Sequence, residues 1–273
     1  IQEFCEFHFV PNGNLEAYIA QYILAQVNPL SQQNLLQLRI SGLTKLKVFT
    51  PNGLMTHRTR LYLITPPRFN SLDDFETTLF SALEAGDVAC LQIRLKADDG
   101  ISIDVDATMK LAGRITEKVQ AHDIAVLIND RADIACDFGA DGVHIGQQDM
   151  SFKEAKKWVG EHGIVGVTCH DSRHLGMVAG EQGADYVAFG AFYPTQTKNA
   201  PTKAEPELLK WWQEMMELPC VAIGGIATDN AEPLVRAGAD FLAVSAGVWS
   251  CEDGPAAAVR QFNEIFDRVA EGA

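Results

Sequence analysis

From residue 61 onward the chain alternates short apolar runs with longer segments whose apolar positions recur every three to four residues. The runs lie at 61–65, 88–93, 124–128, 142–145, 164–168, 186–189, 220–223 and 241–244. Each is close to continuously apolar, which is how strands buried on both faces read. Between them the longer period predicts helices over 72–85, 104–121, 131–138, 151–161, 172–182, 205–217, 229–237 and 255–270. In the first, Leu72, Phe75, Leu79, Ala82 and Leu83 share one face behind a Ser71 cap. Ser151 followed three residues later by Glu154 spells a capping box. Three helices run into the same phrase: Gly139-Ala140-Asp141, Gly183-Ala184-Asp185 and Gly238-Ala239-Asp240. Glycine there takes the left-handed helix stop, and the next strand follows at once. Eight strand–helix units in series predict an α/β fold closed into a (β/α)8 TIM barrel, with an open eight-stranded sheet as the alternative.

Residues 1–54 do not share this pattern. They hold a polar patch, Ser31-Gln32-Gln33-Asn34, and one predicted helix over 14–27. Met55 is followed by the polar stretch Thr56-His57-Arg58-Thr59-Arg60 and then by the first barrel strand. The reading is an N-terminal extension over 1–54, with Met55 the natural start and 55–273 the barrel domain. A genuine N-terminal arm or dimerisation segment is the alternative.

Composition narrows the partners. Apolar residues make up 47% of the chain, enough for a sizeable core, so a disordered chain is excluded. Asp and Glu outnumber Lys and Arg by 36 to 22, a net charge of −14. Such a surface repels phosphate backbones and argues against nucleic acid or an anionic membrane as partner. Small anionic ligands stay open, because a local cluster of cations can override the global field. The six cysteines form no metal-like spacing, and most sit in apolar runs, as reduced buried thiols of a cytoplasmic protein would. No apolar run approaches a membrane span, and no secretory leader is read at the N-terminus.

In this fold, chemistry gathers at the C-terminal ends of the strands. After the run 88–93, Gln92, Arg94 and Lys96 alternate onto one face. Two cations facing inward need an anionic partner, since burying unpaired charge is costly. A barrel carboxylate or a bound phosphate would serve. Asp130 follows the third run and Asp149 the fourth. Two carboxylates beside two cations fit Mg²⁺ shared with substrate phosphate oxygens. Alternatively, Asp149 is only an acid at a helix N-terminus. After the sixth run, Thr195, Thr197 and Lys198 suit phosphate binding, or a polar surface loop. Gly224-Gly225-Ile226 and Ser245-Ala246-Gly247 follow the last two strands, where small residues let backbone N–H groups approach a phosphate. Turn glycines are the plainer reading. Together these residues suggest two anion sites facing each other across one barrel mouth.

On these phrases the chain resembles the thiamine-phosphate synthase family over 61–268. The matching stretches are Gln92-x-Arg94-x-Lys96, Ile128-Asn129-Asp130-Arg131, the segment from Ala140 through His144 to Asp149, Thr195-x-Thr197-Lys198, and Ala222-Ile223-Gly224-Gly225-Ile226. The resemblance implies coupling of a hydroxymethylpyrimidine diphosphate to a thiazole phosphate, with Mg²⁺ and release of pyrophosphate. Arg94, Lys96, Asn129 and Lys198 would hold the pyrophosphate, and Asp130 and Asp149 the metal. Gln92 would lie by the pyrimidine, and Thr168 would bind substrate. Thr195, Thr197, Gly224, Gly225 and the backbone of Val244 and Ser245 would hold the thiazole phosphate. Thr168, with Arg94, Lys96 and Lys198, would be catalytic.

The chain departs from the family pattern at Thr168, where Ser is usual, at Ala191-Phe192 and at Pro66-Pro67. These departures bear on substrate fit more than on reaction class. A thiazole tautomerase using His170 as acid–base is the rival reading. A non-catalytic barrel that binds a thiamine precursor is a third. A homo-oligomer is compatible with all three.

Overall fold

The computed structural model describes residues 46–49, 55–195 and 203–272. The chain divides into Ile1–Leu36 and Gln37–Ala273, and every described residue belongs to the second unit. Strands β1 (Leu46–Phe49) and β2 (Met55–Arg58) form an antiparallel hairpin, with Leu46 opposite Arg58 and Phe49 opposite Met55. Alternation then begins with β3 (Arg60–Ile64), α1 (Leu72–Leu83), β4 (Val88–Ile93), α2 (Val105–Gln120), β5 (Ala125–Asn129) and α3 (Ala132–Asp137). It continues through β6 (Gly142–Ile145), α4 (Phe152–Val159), β7 (Ile164–His170), α5 (Arg173–Gln182), β8 (Tyr186–Gly190) and α6 (Pro206–Met215). The last units are β9 (Cys220–Ile223), α7 (Glu232–Arg236), β10 (Phe241–Val244), the single turn α8 (Ala246–Trp249) and α9 (Pro255–Glu271). Strands β3 to β10 are parallel and close into a barrel where β10 pairs with β3. The open-sheet alternative is thereby excluded.

The predicted caps form. Ser71 accepts from the Asp74 N–H, and Ser151 with Glu154 completes the capping box. Gly139, Gly183 and Gly238 all hold positive φ, as the repeated Gly-Ala-Asp phrase requires. The aspartates of that phrase act one step later. Asp141 accepts from the Val126 N–H, Asp185 from Val165 and Asp240 from Cys220, each tying a helix-to-strand turn to a neighbouring strand. Among the cysteines, Cys90, Cys169 and Cys220 are buried, while Cys136 is exposed.

The sequence missed the β1–β2 hairpin and the turn α8, and it overextended α7. The hairpin was missed because β2 carries Thr-His-Arg instead of an apolar run. The turn α8 is too short to show a period. Helix α7 spans only Glu232–Arg236, because Pro233 lies in its first turn and the residues before it are turns. Arg58, at the end of β2, is 4% exposed and fully engaged. It donates to Asp267 at 2.7 Å, Asp87 at 3.1 Å and Asn263 at 3.0 Å, fastening the hairpin's second strand to α9.

The core has two shells. The larger lies between strands and helices, around Leu79, Ile115, Trp212, Phe262 and Phe266. The smaller fills the barrel lumen with Tyr62, Ile64, Cys90, Leu127, Tyr186, Val221 and Phe241. Helix burial against the first shell and lumen filling by the second both lie after residue 58. That motivates the proposal that 1–54 is dispensable, although β1 pairs across that boundary. A chain beginning at Met55 keeps Arg58 and its three partners. It is expected to unfold in one cooperative transition; insolubility, or a broad transition in urea, would show that β1 is required.

Candidate active site

A cavity of about 800 Å³ opens at the C-terminal ends of the barrel strands. Its lining includes Gln92, Arg94, Lys96, Asn129, Asp130, Asp149, Thr168, Thr195, Gly224, Gly225, Val244 and Ser245. His170 also lines it. Residues read from seven separate sequence segments therefore converge on one space. Thr197 and Lys198 lie outside the described residues. Of the departures noted above, Thr168 and Ala191 face the cavity, whereas Phe192 is buried in the outer core.

One end of the cavity is built by side-chain charge. Arg94 and Lys96 sit just past the end of β4, where the Arg94 N–H donates to Thr65 Oγ1 at 2.9 Å. The Arg94 guanidinium finds no hydrogen-bond acceptor among the described residues. Burial pulls its pKa below the ordinary value, and the charge of Asp130 opposes that pull. Lys96 Nζ donates to the Ile101 carbonyl at 2.6 Å. Arg131 turns away from this group and pairs with Asp133.

Asp130 holds a left-handed backbone, φ 61°, directly after β5. Its Oδ2 accepts from Asn129 Nδ2 at 2.5 Å. Burial, then the nearby charge of Asp149 and a hydrogen bond with it, push the Asp130 carboxyl up to about 7. Lys96 and Arg94 pull the other way. Asp149 also accepts from the Gly146 N–H at 2.8 Å. It does not cap α4, a role that belongs to Ser151. Two neighbouring carboxylates, the charge of one pushing the other up, are a donor set that a divalent cation would relieve. Among the described residues no group of three or more His, Cys, Asp or Glu is placed to hold a metal. The pair therefore fits a cation that takes the rest of its shell from ligand oxygens and water.

The floor is a hydrogen-bonded row of side chains. Gln92 Nε2 donates to Asn129 Oδ1 at 2.7 Å, and Tyr62 Oη donates to Gln92 Oε1 at 3.2 Å. The hydroxyls of Tyr62 and Tyr186 are 2.8 Å apart. His144 Nδ1 lies 2.8 Å from the Tyr186 hydroxyl, and its Nε2 lies 2.8 Å from Thr168 Oγ1. Desolvation holds both tyrosine pKa values well above normal, so both stay protonated. Sequence reasoning gave no role to Tyr62, His144 or Tyr186. The available signal was a His in the middle of a four-residue apolar strand, on the same face as the cavity residues of its neighbours. Gly166 makes the row possible: a Cβ there would lie 1.8 Å from Tyr186 Cζ.

The opposite end is built from backbone. Gly224 and Gly225 hold φ 106° and 64°. A Cβ on Gly225 would lie 2.3 Å from the Pro194 carbonyl oxygen, so only glycine fits. The N–H groups of Gly225, Ala246 and Gly247 find no acceptor among the described residues. Ser245 Oγ donates to the Thr65 carbonyl at 3.0 Å, and Trp249 Nε1 donates to the Ile64 carbonyl at 2.6 Å. Those bonds fasten α8 to β3 and leave the backbone donors at the cavity. This arrangement suits a phosphate monoester held by amide groups.

The model of a family described as thiamine monophosphate synthase matches residues 61–248. The chain belongs to the thiamine monophosphate synthase family. It is 59% identical over 208 residues to thiamine-phosphate synthase of Rhodospirillum centenum, covering 76% of this chain and 97% of that one. The corresponding protein of Hyphomonas neptunium is 57% identical over 213 residues, covering 78% of this chain and 96% of that one. Among solved structures, thiamine phosphate pyrophosphorylase of Pyrococcus furiosus superposes with a TM-score of 0.65 at 29% identity, covering 77% and 96% of the two chains. The barrel, the convergence at its mouth and the family membership agree.

The Gly166–Tyr186 contact gives this synthase-family barrel a sharp test. Gly166→Ala forces Tyr186 out of the lumen, and overpacking of this kind costs about 1–3 kcal/mol. Urea unfolding is expected to show that loss; an unchanged midpoint would mean the floor has slack the packing does not suggest.

Proposed function

We propose that this chain acts as a thiamine-phosphate synthase, joining a hydroxymethylpyrimidine diphosphate to a thiazole phosphate. The observation that carries the reading is the pairing of two unlike anion sites in one cavity. One has Arg94, Lys96 and two carboxylates; the other has backbone N–H groups at Gly225, Ala246 and Gly247. A single phosphorylated substrate needs only one of them.

In the proposed reaction the C–O bond between the pyrimidine methylene and the diphosphate breaks, and its electron pair leaves with the oxygen. The thiazole nitrogen then donates its lone pair to the methylene carbon, giving thiamine phosphate and pyrophosphate. Arg94 and Lys96 stabilise the charge that grows on the leaving group, so they bind the transition state better than the ground state. Asn129 and Lys198 complete the pyrophosphate grip on this reading. Asp130 and Asp149 would hold Mg²⁺, which when bound would neutralise part of the pyrophosphate charge. Gln92 and Thr168 orient the pyrimidine. Thr195, Thr197, Gly224, Gly225 and the backbone of Val244 and Ser245 hold the thiazole phosphate within attacking distance. No protein nucleophile is required.

The tautomerase reading keeps one observation in its favour: His170 lines the cavity with φ 52°. It leaves Arg94 and the carboxylate pair without a task, and so the synthase reading is preferred. Among the described residues no helix is long and apolar enough to cross a membrane.

Two experiments decide. Incubation with both substrates and Mg²⁺ is expected to yield thiamine phosphate and pyrophosphate. In that assay Asp149→Ala should raise the Mg²⁺ concentration needed for half-maximal rate and lower turnover, with the thermal midpoint little changed. A variant that loses stability and keeps its rate would make Asp149 a turn residue instead. Lys198→Ala should slow coupling about 100- to 1,000-fold, the effect of deleting one positioned donor at developing negative charge. His170→Ala should cost far less. The reverse ranking, together with thiazole tautomerisation by the unaltered chain, would hand the site to the rival reading.

A further inference from the structure

The floor of the cavity has a direction. Asp130 Oδ2 accepts from Asn129 Nδ2, so Asn129 presents Oδ1 to Gln92 Nε2. Gln92 then has only Oε1 left for Tyr62, which donates its single hydroxyl proton there. The Tyr62 oxygen can therefore only accept across its 2.8 Å contact, and Tyr186 is the donor. With its own proton spent, Tyr186 must accept from His144 Nδ1. A neutral imidazole protonated at Nδ1 carries a bare Nε2, which accepts the Thr168 hydroxyl proton across 2.8 Å. Each link fixes the next, from the carboxylate to the threonine.

From this row we infer that His144 is a positioning residue, held by Tyr186 as the Nδ1–H tautomer, that makes Thr168 Oγ1 a hydrogen-bond acceptor toward substrate and selects an amino- over an oxo-pyrimidine. Thr168 is part of the cavity lining and His144 borders it. The Thr168 proton points back at His144, so only oxygen lone pairs face the cavity. A ring amino group donates to them. A ring carbonyl at the same position meets lone pair with lone pair. The effect grows along the proposed reaction. As the bond to pyrophosphate breaks, positive charge spreads onto the ring amino nitrogen, and its N–H becomes a stronger donor. The contact is then tighter in the transition state than in the ground state. The aminopyrimidine assignment rests on the synthase reading; the tautomer does not.

The first test therefore needs no turnover. The full chain is labelled with ¹⁵N-histidine, and the His144 ring is assigned by its loss in His144→Asn. A protonated Nδ1 beside an unprotonated Nε2 is expected. Proton on Nε2, or on both nitrogens, would overturn the inference. The second test compares the amino- and oxo-pyrimidine diphosphates as substrates. The unaltered chain should favour the amino compound by about 100-fold or more in kcat/KM, since a site built for one hydrogen-bonding pattern rejects its inverse. Tyr186→Phe frees the imidazole to change tautomer and should reduce that preference at least about tenfold. Thr168→Val should do the same, and Thr168→Ser should keep the preference. A ratio is read because partial unfolding lowers both rates together. An unchanged ratio in both Tyr186→Phe and Thr168→Val sinks the inference. If the unaltered chain couples neither compound, the synthase reading fails, and the ring spectrum still decides the tautomer.

Discussion

The hydrogen bond between Tyr62 and Tyr186 sits where a barrel leaves least freedom. Eight strands surround a lumen that side chains must fill, and no water is available there to repair a bad polar contact. Two tyrosines, on β3 and β8 three strands apart round the barrel, meet hydroxyl to hydroxyl at 2.8 Å, with rings edge to face at 5.9 Å. Their bodies supply apolar volume, and their tips place polar atoms deep in the lumen. Those tips need partners, which Gln92 and His144 provide. Those partners in turn need Asn129 and Thr168. The row ends only where it reaches the cavity, at Asp130 on one side and Thr168 on the other. The floor of the site is thus a consequence of how the lumen is packed, and Gly166 is the vacancy that lets it pack so.

Electrostatics at the mouth runs against the molecule as a whole. A chain with a net charge of −14 places Arg94 and Lys96 at one cavity end. It also sets two carboxylates there that push one of them up to about 7. Neither choice favours the folded chain by itself, because buried charge and like-charge crowding both cost stability. The arrangement is economical only when ligand charge joins it. Strain of this sort concentrates at functional sites, and here the left-handed Asp130 backbone lies in the same place.

The barrel was legible because its strands are buried on both faces and its turns repeat a phrase. Continuous apolar runs, glycine stops and a capping box all report local physics. The charged residues of the mouth were legible for a related reason: cations facing inward after an apolar run need an anionic partner, and carboxylates at the neighbouring strand ends suggested a ligand shared between them. The polar floor was not. Tyr62, His144 and Tyr186 lie inside apolar runs, and tyrosine or histidine there reads as core. Their partners are 30, 124 and 42 residues away in sequence, so nothing local announces a network. The β1–β2 hairpin escaped notice because its register depends on pairing and not on an apolar period.

The two ends of the cavity use different chemistry, and the proposed reaction explains the division. At the diphosphate end charge grows as the bond breaks, so strong point charges there lower the barrier. At the thiazole phosphate end charge does not change, and any extra affinity would bind ground and transition states alike. Backbone N–H groups suit that task. They are fixed by the glycine turn and by the bonds of Ser245 and Trp249 to β3, so they hold position without adding net charge. A cation there would deepen the bound state without speeding the step. On the proposed reaction, rigid amides would place the nucleophile, side-chain cations would drive the departure, and the row between them would keep the ring aligned while charge moves.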